Sequence, residues 1–422
     1  MTAEPGRFTF LQVSDVHLDS KALAVGAPLT VAQRRMREQE MLDAFLRALE
    51  TAREQKVDVV LIPGDLWENE TVRGDTIARV IEACGALGEI PILITPGNKD
   101  YYSVDSPYNT KALQVRGLPT WPQNVFIFTS DQFVTIRHPL RNDVSFTGRA
   151  FTSDQVQPTR ILKNTLPRRE EATINILVLH GALEGYSGAD ADWPGKMTAP
   201  FSAAELKAQN FTYAALGHYH EFTEVKLDTG LLLGAYSGCL GGRIFDEIGP
   251  RCALLGTIEP GRPGRWNVSL EPMEFDTRRL IMVGADISGL SIEDMMDEIS
   301  LSIEDQGGRP ECDIVYLHLE GRYSPATEPE TVIERLRERY SQLVVWDNTR
   351  PDYLGEKYDQ RTTEWKFIGA LLELKQKIER ARAGTEPDTS NGSKLSGPIV
   401  EDALYYGLDA LRQKRITVRN VD

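Results

Sequence analysis

Between residues 8 and 220, five apolar runs each stop on a short polar motif. Phe8–Val13 runs into Ser14-Asp15-Val16-His17, Val57–Ile62 into Pro63-Gly64-Asp65, and Ile90–Thr95 into Pro96-Gly97-Asn98. Ile174–Leu179 ends at His180-Gly181, and Tyr213–Leu216 at Gly217-His218-Tyr219-His220. Runs of four to seven such residues read as buried strands. Ligands of open α/β sheets bind beyond the carboxyl ends of the strands, and these motifs place their polar atoms there. Helical patterns fall between the strands. Val31–Gln55 shows the stripe Met41, Leu42, Phe45, Leu46, Leu49 behind a Thr30 N-cap, and Asp75–Leu87 reads as a second helix. Short strands are read over 125–128, 133–136, 144–147, 223–227, 231–236, 252–258 and 266–270, with a short helix over 202–208. This mixed order predicts layered α/β packing and not one parallel sheet.

Near residue 276 the pattern restarts as β-α-β-α-β, with strands 279–287, 312–320 and 343–347 and helices 291–303 and 330–340. A charged helix over 362–382, a flexible low-complexity loop over 383–397 and a helix over 398–414 follow. The reading is three parts: 1–275, 276–350 and 351–422.

Length alone allows two or three domains in 422 residues. No run of about 18 apolar residues is present, so no membrane-spanning helix is expected, and Met1–Arg7 lacks a signal-peptide pattern. The four scattered cysteines suit a cytoplasmic protein with free thiols. A net charge of −15 argues against broad attraction to nucleic acid but leaves room for a local groove.

The chemistry of the strand-end set is coherent. Asp, His and Asn are oxygen and nitrogen ligands suited to manganese, iron or zinc. Seven of them are too many for one ion and enough for two, and Asp65 on its tight turn is the natural bridge. Taken singly, Asp-x-His is an ordinary loop, Gly-Asp a turn, and a lone buried His180 a satisfied core histidine. Together they shift the balance, because four of the six histidines (His17, His180, His218, His220) fall at strand ends. His138 and His318 read as a surface residue and a residue of the second part.

The ordered set resembles the calcineurin-like metallophosphoesterase family. That resemblance implies a four-layer fold of two facing β-sheets flanked by helices, with a small α+β cap domain and a helical tail. It also implies that Asp15, His17 and His220 hold one metal, that Asn98, His180 and His218 hold the other, and that Asp65 bridges. The strings LQVSDVHLDS, PGDLWE and YSGCLGGRIFDEIGP, with the cap and tail, resemble the SbcD-type DNA repair and recombination exonucleases. This implies two divalent ions, Mn2+ by expectation, a DNA substrate, an SbcC-like coiled-coil ATPase partner, a homodimer and no membrane association.

The family's Gly-Asn-His-Asp is Gly97-Asn98-Lys99-Asp100 here. Lys99 therefore stands where the family has a histidine facing the phosphate and leaving oxygen. Its plain reading is a solvent-facing pair with Asp100; its functional reading is a catalytic phosphate clamp. An amine of unperturbed pKa about 10.4 is a poorer proton donor near neutrality than imidazole. Arg149 is a candidate for substrate phosphate. Tyr101, Tyr102 and Tyr108 could stack on a base or pack in their loop. Arg34, Arg35 and Arg37 could track a DNA backbone or form a solvated helix face. Two rivals stay open: a phosphodiesterase or phosphatase acting on small nucleotides, and a DNA-end-binding subunit whose catalysis is weakened by Lys99.

Overall fold

Every residue of β2 (Val59–Ile62) and β3 (Ile92–Ile94) is buried, as strands covered on both faces must be. The computed structural model describes residues 6–20, 30–262, 265–324, 327, 329–382 and 396–413. The loop read over 383–397 lies outside these residues except for its last two positions. Within them, β1 (Phe8–Gln12), β2, β3 and β4 (Val125–Ile127) run parallel. β11 (Cys252–Pro260) joins β1 antiparallel, and β12 (Trp266–Glu274) closes this six-stranded sheet. The second six-stranded sheet has the order β5 (Val134–Arg137), β6 (Val144–Gly148), β7 (Ile174–His180), β8 (Tyr213–Gly217), β10 (Leu232–Tyr236), β9 (Thr223–Lys226). Its four central strands are parallel.

Strand alternation sorts the apolar residues into layers. Phe8, Phe10, Val59, Leu61 and Leu93 of the first sheet meet Phe146, Ile174, Ile176, Val178 and Tyr213 of the second in one buried cluster. The opposite faces turn outward. Leu11, Val60, Ile62 and Ile94 pack under α1 (Val31–Glu54) and α2 (Gly74–Ala86) through Met41, Phe45, Ala48, Ile77 and Val80. Leu177, Leu179, Ala214 and Leu216 are covered by Leu162, Phe201 and Leu206, the last on α4 (Ala203–Ala208). Two facing sheets flanked by helices are thus the architecture of this unit, as expected. Thr30 caps α1 with a full capping box to Gln33. One short helix, α3 (Thr110–Val115), was not expected; Asn109 caps it.

A polar tie fixes how the sheets face each other. Gln12 is fully buried between them. Its Nε2 donates to Leu216 O (3.0 Å) and Ala235 O (2.9 Å), and Tyr213 OH donates to its Oε1 at 2.7 Å. Two residues beyond the end of β1, Ser14 and Ser237 hydroxyls lie 2.9 Å apart. Unmade, those buried hydrogen bonds would cost about 1–3 kcal/mol each, so the carboxyl ends of the two sheets are held in register.

By contacts the chain divides into two units, Met1–Leu280 and Ile281–Asp422. The second has a three-stranded sheet of β13 (Leu280–Asp286), β14 (Ile314–Glu320) and β16 (Gln342–Asp347), the last two parallel. The two-residue strands β15 (Arg322–Tyr323) and β17 (Arg350–Pro351) pair with each other. α5 (Ile292–Asp305) and α6 (Pro329–Arg339) pack on the three-stranded sheet through Met295, Ile299, Ile303, Val332 and Leu336. α7 (Thr363–Arg382) and α8 (Gly397–Gln413) bury Leu404, Tyr405 and Leu408 with Tyr353, against Phe367, Ile368 and Leu371. Trp365 and Leu372, seven residues apart on one face of α7, stay 44% and 37% exposed. No helix among the described residues is long and apolar enough to cross a membrane.

Candidate metal centre

Beyond the strands, the β1 and β2 loops continue side by side. Asp15 N donates to Gly64 O (3.1 Å) and His17 N to Asp65 O (3.0 Å). This course forces unusual backbone. Asp15, His17, Asp65 and His218 have φ of 51°, 46°, 53° and 119°, a region disfavoured for residues with a Cβ. Four of the eight non-glycine positive-φ residues among those described are therefore candidate ligands. Such conformations cost of order 1–3 kcal/mol each and cluster at functional sites. The two loop sets also approach closely. A Cβ on Gly217 would lie 1.9 Å from Pro63 O, and one on Gly97 would lie 2.8 Å from His180 Cε1. Glycine is therefore required where the second sheet's loops meet the first's.

All seven strand-end candidates converge here. Asp15, His17 and His220 each offer a ligand atom within 4.8 Å of the others, and so do Asp15, Asp65 and His180. Asp15 thus stands in both groups. Asp65 Oδ2 lies 3.6 Å from His17 Nε2 and 3.5 Å from His180 Nε2, between the two sets.

The tautomers of the remaining rings follow from their partners. A carbonyl oxygen only accepts, so His180 Nδ1 carries a proton toward Pro63 O (2.9 Å) and His218 Nε2 one toward Lys196 O (2.6 Å). Burial first, and then the Lys196 charge, drives His218 well below its usual pKa, and burial also lowers His180, which favours the neutral form of both rings. Their other nitrogens, His180 Nε2 and His218 Nδ1, are lone-pair atoms 3.2 Å apart. Asn98 Oδ1 joins them 3.0 Å from His180 Nε2. Three acceptors facing one another repel unless a cation lies among them. Their spacing suits atoms sharing an ion at bond lengths near 2 Å, which lie roughly 2.9–3.5 Å apart.

The first set behaves alike. Buried His17 has no hydrogen-bond partner on either ring nitrogen. His220 Nδ1 lies 2.7 Å from Glu247 Oε1, an acceptor, and 3.1 Å from Arg243 Nη2, a donor; with the proton directed to the nearer carboxylate, Nε2 is a lone pair, and burial with Lys196 nearby lowers the ring's pKa to about 3. Carboxylate–histidine pairs of this kind orient metal ligands. Burial and the Asp65 charge raise Asp15 well above the carboxylate range. Burial pushes Asp65 up too, but His180, His17 and the Lys99 N–H outweigh it and hold it below that range. Like charges kept this close without solvent call for compensating positive charge. The residues fit two divalent metal ions.

Several site residues were not anticipated. Asp100 is fully buried. It accepts from Asp65 N (3.0 Å), Leu66 N (2.8 Å), Gly97 N (2.6 Å) and Tyr108 OH (2.5 Å). Burial and the Asp65 charge raise its pKa to about 7. It pins the turn bearing Asn98 and is not paired with Lys99, which removes the pairing from the plain reading of that lysine but leaves its solvent-facing half standing. Glu68 Oε1 lies 3.6 Å from His17 Nδ1 and accepts from Ser20 Oγ at 2.6 Å. Arg243 chelates Glu247 beneath His220. Both lie in the YSGCLGGRIFDEIGP string, the signal that pointed to them. Asp190 and Lys196, from the loop after β7, form a buried pair at 2.8 Å.

Lys99 is exposed. Its N–H donates to Asp65 Oδ1 at 2.8 Å, and its carbonyl accepts from Asn69 N at 3.0 Å. Among the described residues its ammonium has no ion-pair partner, and its charge is felt at His180. Arg149 lies against the rings of Phe133 and Phe151, with Nη2 on Gln157 Oε1 at 2.8 Å. Phe151 in turn meets His180 edge-on. Arg149 thus stands one ring behind the candidate ligands. Tyr108 is buried in a stack with Trp67 and Trp121, so it is core and not a base platform. Arg37 is buried as well, chelated by Asp276 and Gly242 O, and not part of a solvated face. Arg34 and Arg35 remain at the surface.

A family model described as Calcineurin-like phosphoesterase matches residues 8–222. Among solved structures, the chain is similar to a dimetal phosphatase from Danio rerio at 12% identity and a TM-score of 0.34, over 62% of this chain and 98% of that one. It is likewise similar to TT1561 of Thermus thermophilus at 12% identity and a TM-score of 0.33, over 62% and 98%.

Proposed function

Because the chain belongs to the calcineurin-like phosphoesterase family, we propose that it is a two-metal phosphodiesterase of the SbcD type that processes DNA ends with an SbcC-like ATPase. Membership makes it a metal-dependent phosphoester hydrolase; the DNA substrate and partner are the reading's own content. The observation that carries the hydrolytic reading is the convergence of His180 Nε2, His218 Nδ1 and Asn98 Oδ1 with no proton between the ring nitrogens. Asp15, His17 and His220 would hold one ion, Asn98, His180 and His218 the other, with Asp65 between them. Divalent ions bound there, Mn2+ by this reading, supply Lewis-acid polarisation of the phosphoryl group and activation of a water near neutral pH.

The chain's own residues do the rest. Asp100 and the Lys99 N–H fix the Asn98 turn against Asp65. Lys99 has an exposed ammonium with no ion-pair partner among the described residues, and by this reading it would meet the phosphodiester and offset charge on the leaving oxygen. Arg149, one layer back, is the second candidate for substrate phosphate. The nuclease reading is supported by the quoted sequence strings and by the additional unit with its helix pair. Trp365 and Leu372 offer that pair a face for the coiled coil of the ATPase.

Purified protein with Mn2+, given both labelled duplex DNA and bis-p-nitrophenyl phosphate, tests the proposal. Cutting of both is expected. Hydrolysis of the small ester without DNA cutting, even with the ATPase present, overturns the nuclease reading. Hydrolysis of neither overturns the whole.

A further inference from the structure

His218 is gripped from both ends by a single residue. Lys196 lies in the connection between β7 and α4 and is only 7% exposed. Its carbonyl receives the proton of His218 Nε2 at 2.6 Å. Its ammonium donates back to the carbonyl of His218 at 2.5 Å. A buried ammonium is costly unless it is paired, and this one is. Asp190 Oδ2 lies 2.8 Å away, and the faces of Trp193 and Tyr219 lie 5.4 and 5.5 Å from Nζ. Asp190 is itself anchored. Tyr186 OH donates to Oδ1 at 2.8 Å, and His220 N donates to Oδ2 at 3.0 Å. Gln157 N on Thr198 Oγ1 (2.9 Å) and Thr198 N on Lys196 O (2.9 Å) complete the loop's attachment.

This arrangement is more than loop closure. A neutral imidazole exposes its lone pair on whichever nitrogen lacks the proton, so the partner of the other nitrogen decides which atom can ligate. If the loop shifts, Lys196 O leaves His218 Nε2, and the ring is free to take the opposite tautomer or to turn. The lone pair then no longer faces His180 Nε2. Lys196 cannot hold that position without Asp190, because its ammonium would otherwise be buried beside two prospective dications.

We propose that Lys196 and Asp190 form one positioning unit that fixes the Nε2–H tautomer and the orientation of His218, and so sets the affinity of the ion held by His218, His180 and Asn98. The inference rests on the two-metal reading above. Neither residue touches substrate; both act through His218.

The test uses the full chain stripped of metal and the double variant Lys196→Met/Asp190→Asn, which removes both charges together and leaves no buried ion unpaired. Circular dichroism and thermal unfolding confirm that it folds. Stepwise titration with Mn2+ alone, read by calorimetry, gives two constants for the wild type. The variant is expected to lose roughly 10–100-fold on one of them and to keep the other within about threefold. A second readout needs no metal. With 15N-labelled histidine, His218 is expected to show a single Nε2–H tautomer in the wild type and a mixture in the variant. Two unchanged constants, or two constants weakened equally, overturn the inference, as does a single tautomer in both proteins. If the wild type binds no Mn2+, the two-metal reading falls, while the tautomer comparison still decides the positioning role. Should the double variant fail to fold, Lys196→Arg, which keeps charge and donors, is held to the same readouts. It is expected to stay within about threefold of the wild type on both constants and to keep the tautomer. An altered constant with an unaltered tautomer overturns the inference.

Discussion

Two buried histidines at opposite ends of the sandwich show what separates a prospective ligand from a structural side chain. His138 and His17 are 2% and 4% exposed. At the end where β2 begins, His138 is satisfied on both nitrogens: Nε2 donates to Asp58 O at 2.9 Å and Nδ1 accepts from Leu140 N at 3.1 Å. Phe8 and Phe146 flank its ring. At the carboxyl ends of the strands, His17 has neither nitrogen satisfied and faces two carboxylates at 3.6 Å. Burial is common to both. What differs is whether the polar atoms have partners, and buried polar groups left without partners are rare enough to demand a reason.

The largest expected effect breaks the mouth and spares the far end. Asp65 lies between both ligand sets, so Asp65→Asn is expected to weaken both ions together, by at least ~100-fold each. Metal analysis of the dialysed protein reads this directly. Thermal unfolding should agree: Mn2+ at 100 times its dissociation constant stabilises the wild type by about 2.7 kcal/mol and the variant by far less. Two full equivalents retained by the variant, with normal hydrolysis, would remove Asp65 from the site.

The next contrast exchanges the histidines. His138→Ala deletes two buried hydrogen bonds and a ring between Phe8 and Phe146, and is expected to cost about 2–4 kcal/mol in urea unfolding. Hydrolysis per folded molecule should not change. His17→Ala is expected to do the reverse, costing the metal-free protein under ~1 kcal/mol while the first ion's affinity collapses. Equal stability losses in the two variants would mean that the unsatisfied state of His17 has no functional meaning.

Lys99 carries a smaller effect. Lys99→Ala is expected to lower turnover of a phosphodiester about tenfold, a difference of about 1.4 kcal/mol. Lys99→His is expected to raise turnover near neutral pH, because imidazole titrates where the leaving oxygen needs its proton. Identical rates for all three proteins would show that the ammonium points away from substrate.

The same contrast explains which parts of the molecule are legible in the sequence. The strand ends were legible because each couples a buried apolar run to a glycine turn and a ligand-type side chain, and sequence order preserves that coupling. α1 was legible through its stripe and its Thr30 cap. The six-residue α3 was not, since so short a segment carries barely one turn of periodicity; Asn109, which accepts from Lys111 N and Ala112 N, was its only mark. Lys196 and Asp190 escaped notice because their loop reads as glycine- and aspartate-rich connection, and their partner His218 is 22 residues from Lys196. The role of Asp100 is hidden for another reason. Adjacent to Lys99 in sequence, it turns into the protein and binds three backbone N–H groups, and the direction of a side chain is a property of the turn. His138 sits among Arg137, Pro139 and Arg141, a surface-like setting, yet it is buried under Phe8.

His138 also gives the smallest and most discriminating test, a slope against pH. Burial lowers its pKa below the usual 6.5, against the raising effect of the Asp58 carbonyl and carboxylate. In the unfolded chain it returns to about 6.5. Between those two values the unfolded state binds more protons than the folded state, so stability rises with pH there. The contribution is complete above pH 6.5 and is lost as pH falls through the window below. The ligand histidines are lowered in the same direction, so metal-free wild type should show a steep composite slope. His138→Gln removes one titrating group, and its slope should be shallower by no more than about 1.4 kcal/mol per pH unit, the limit for one proton. Urea midpoints at pH 5.5 and 7.5 for both proteins measure the difference. Parallel slopes would mean that His138 titrates normally, and burial would then not hold its ring neutral as the comparison with His17 requires.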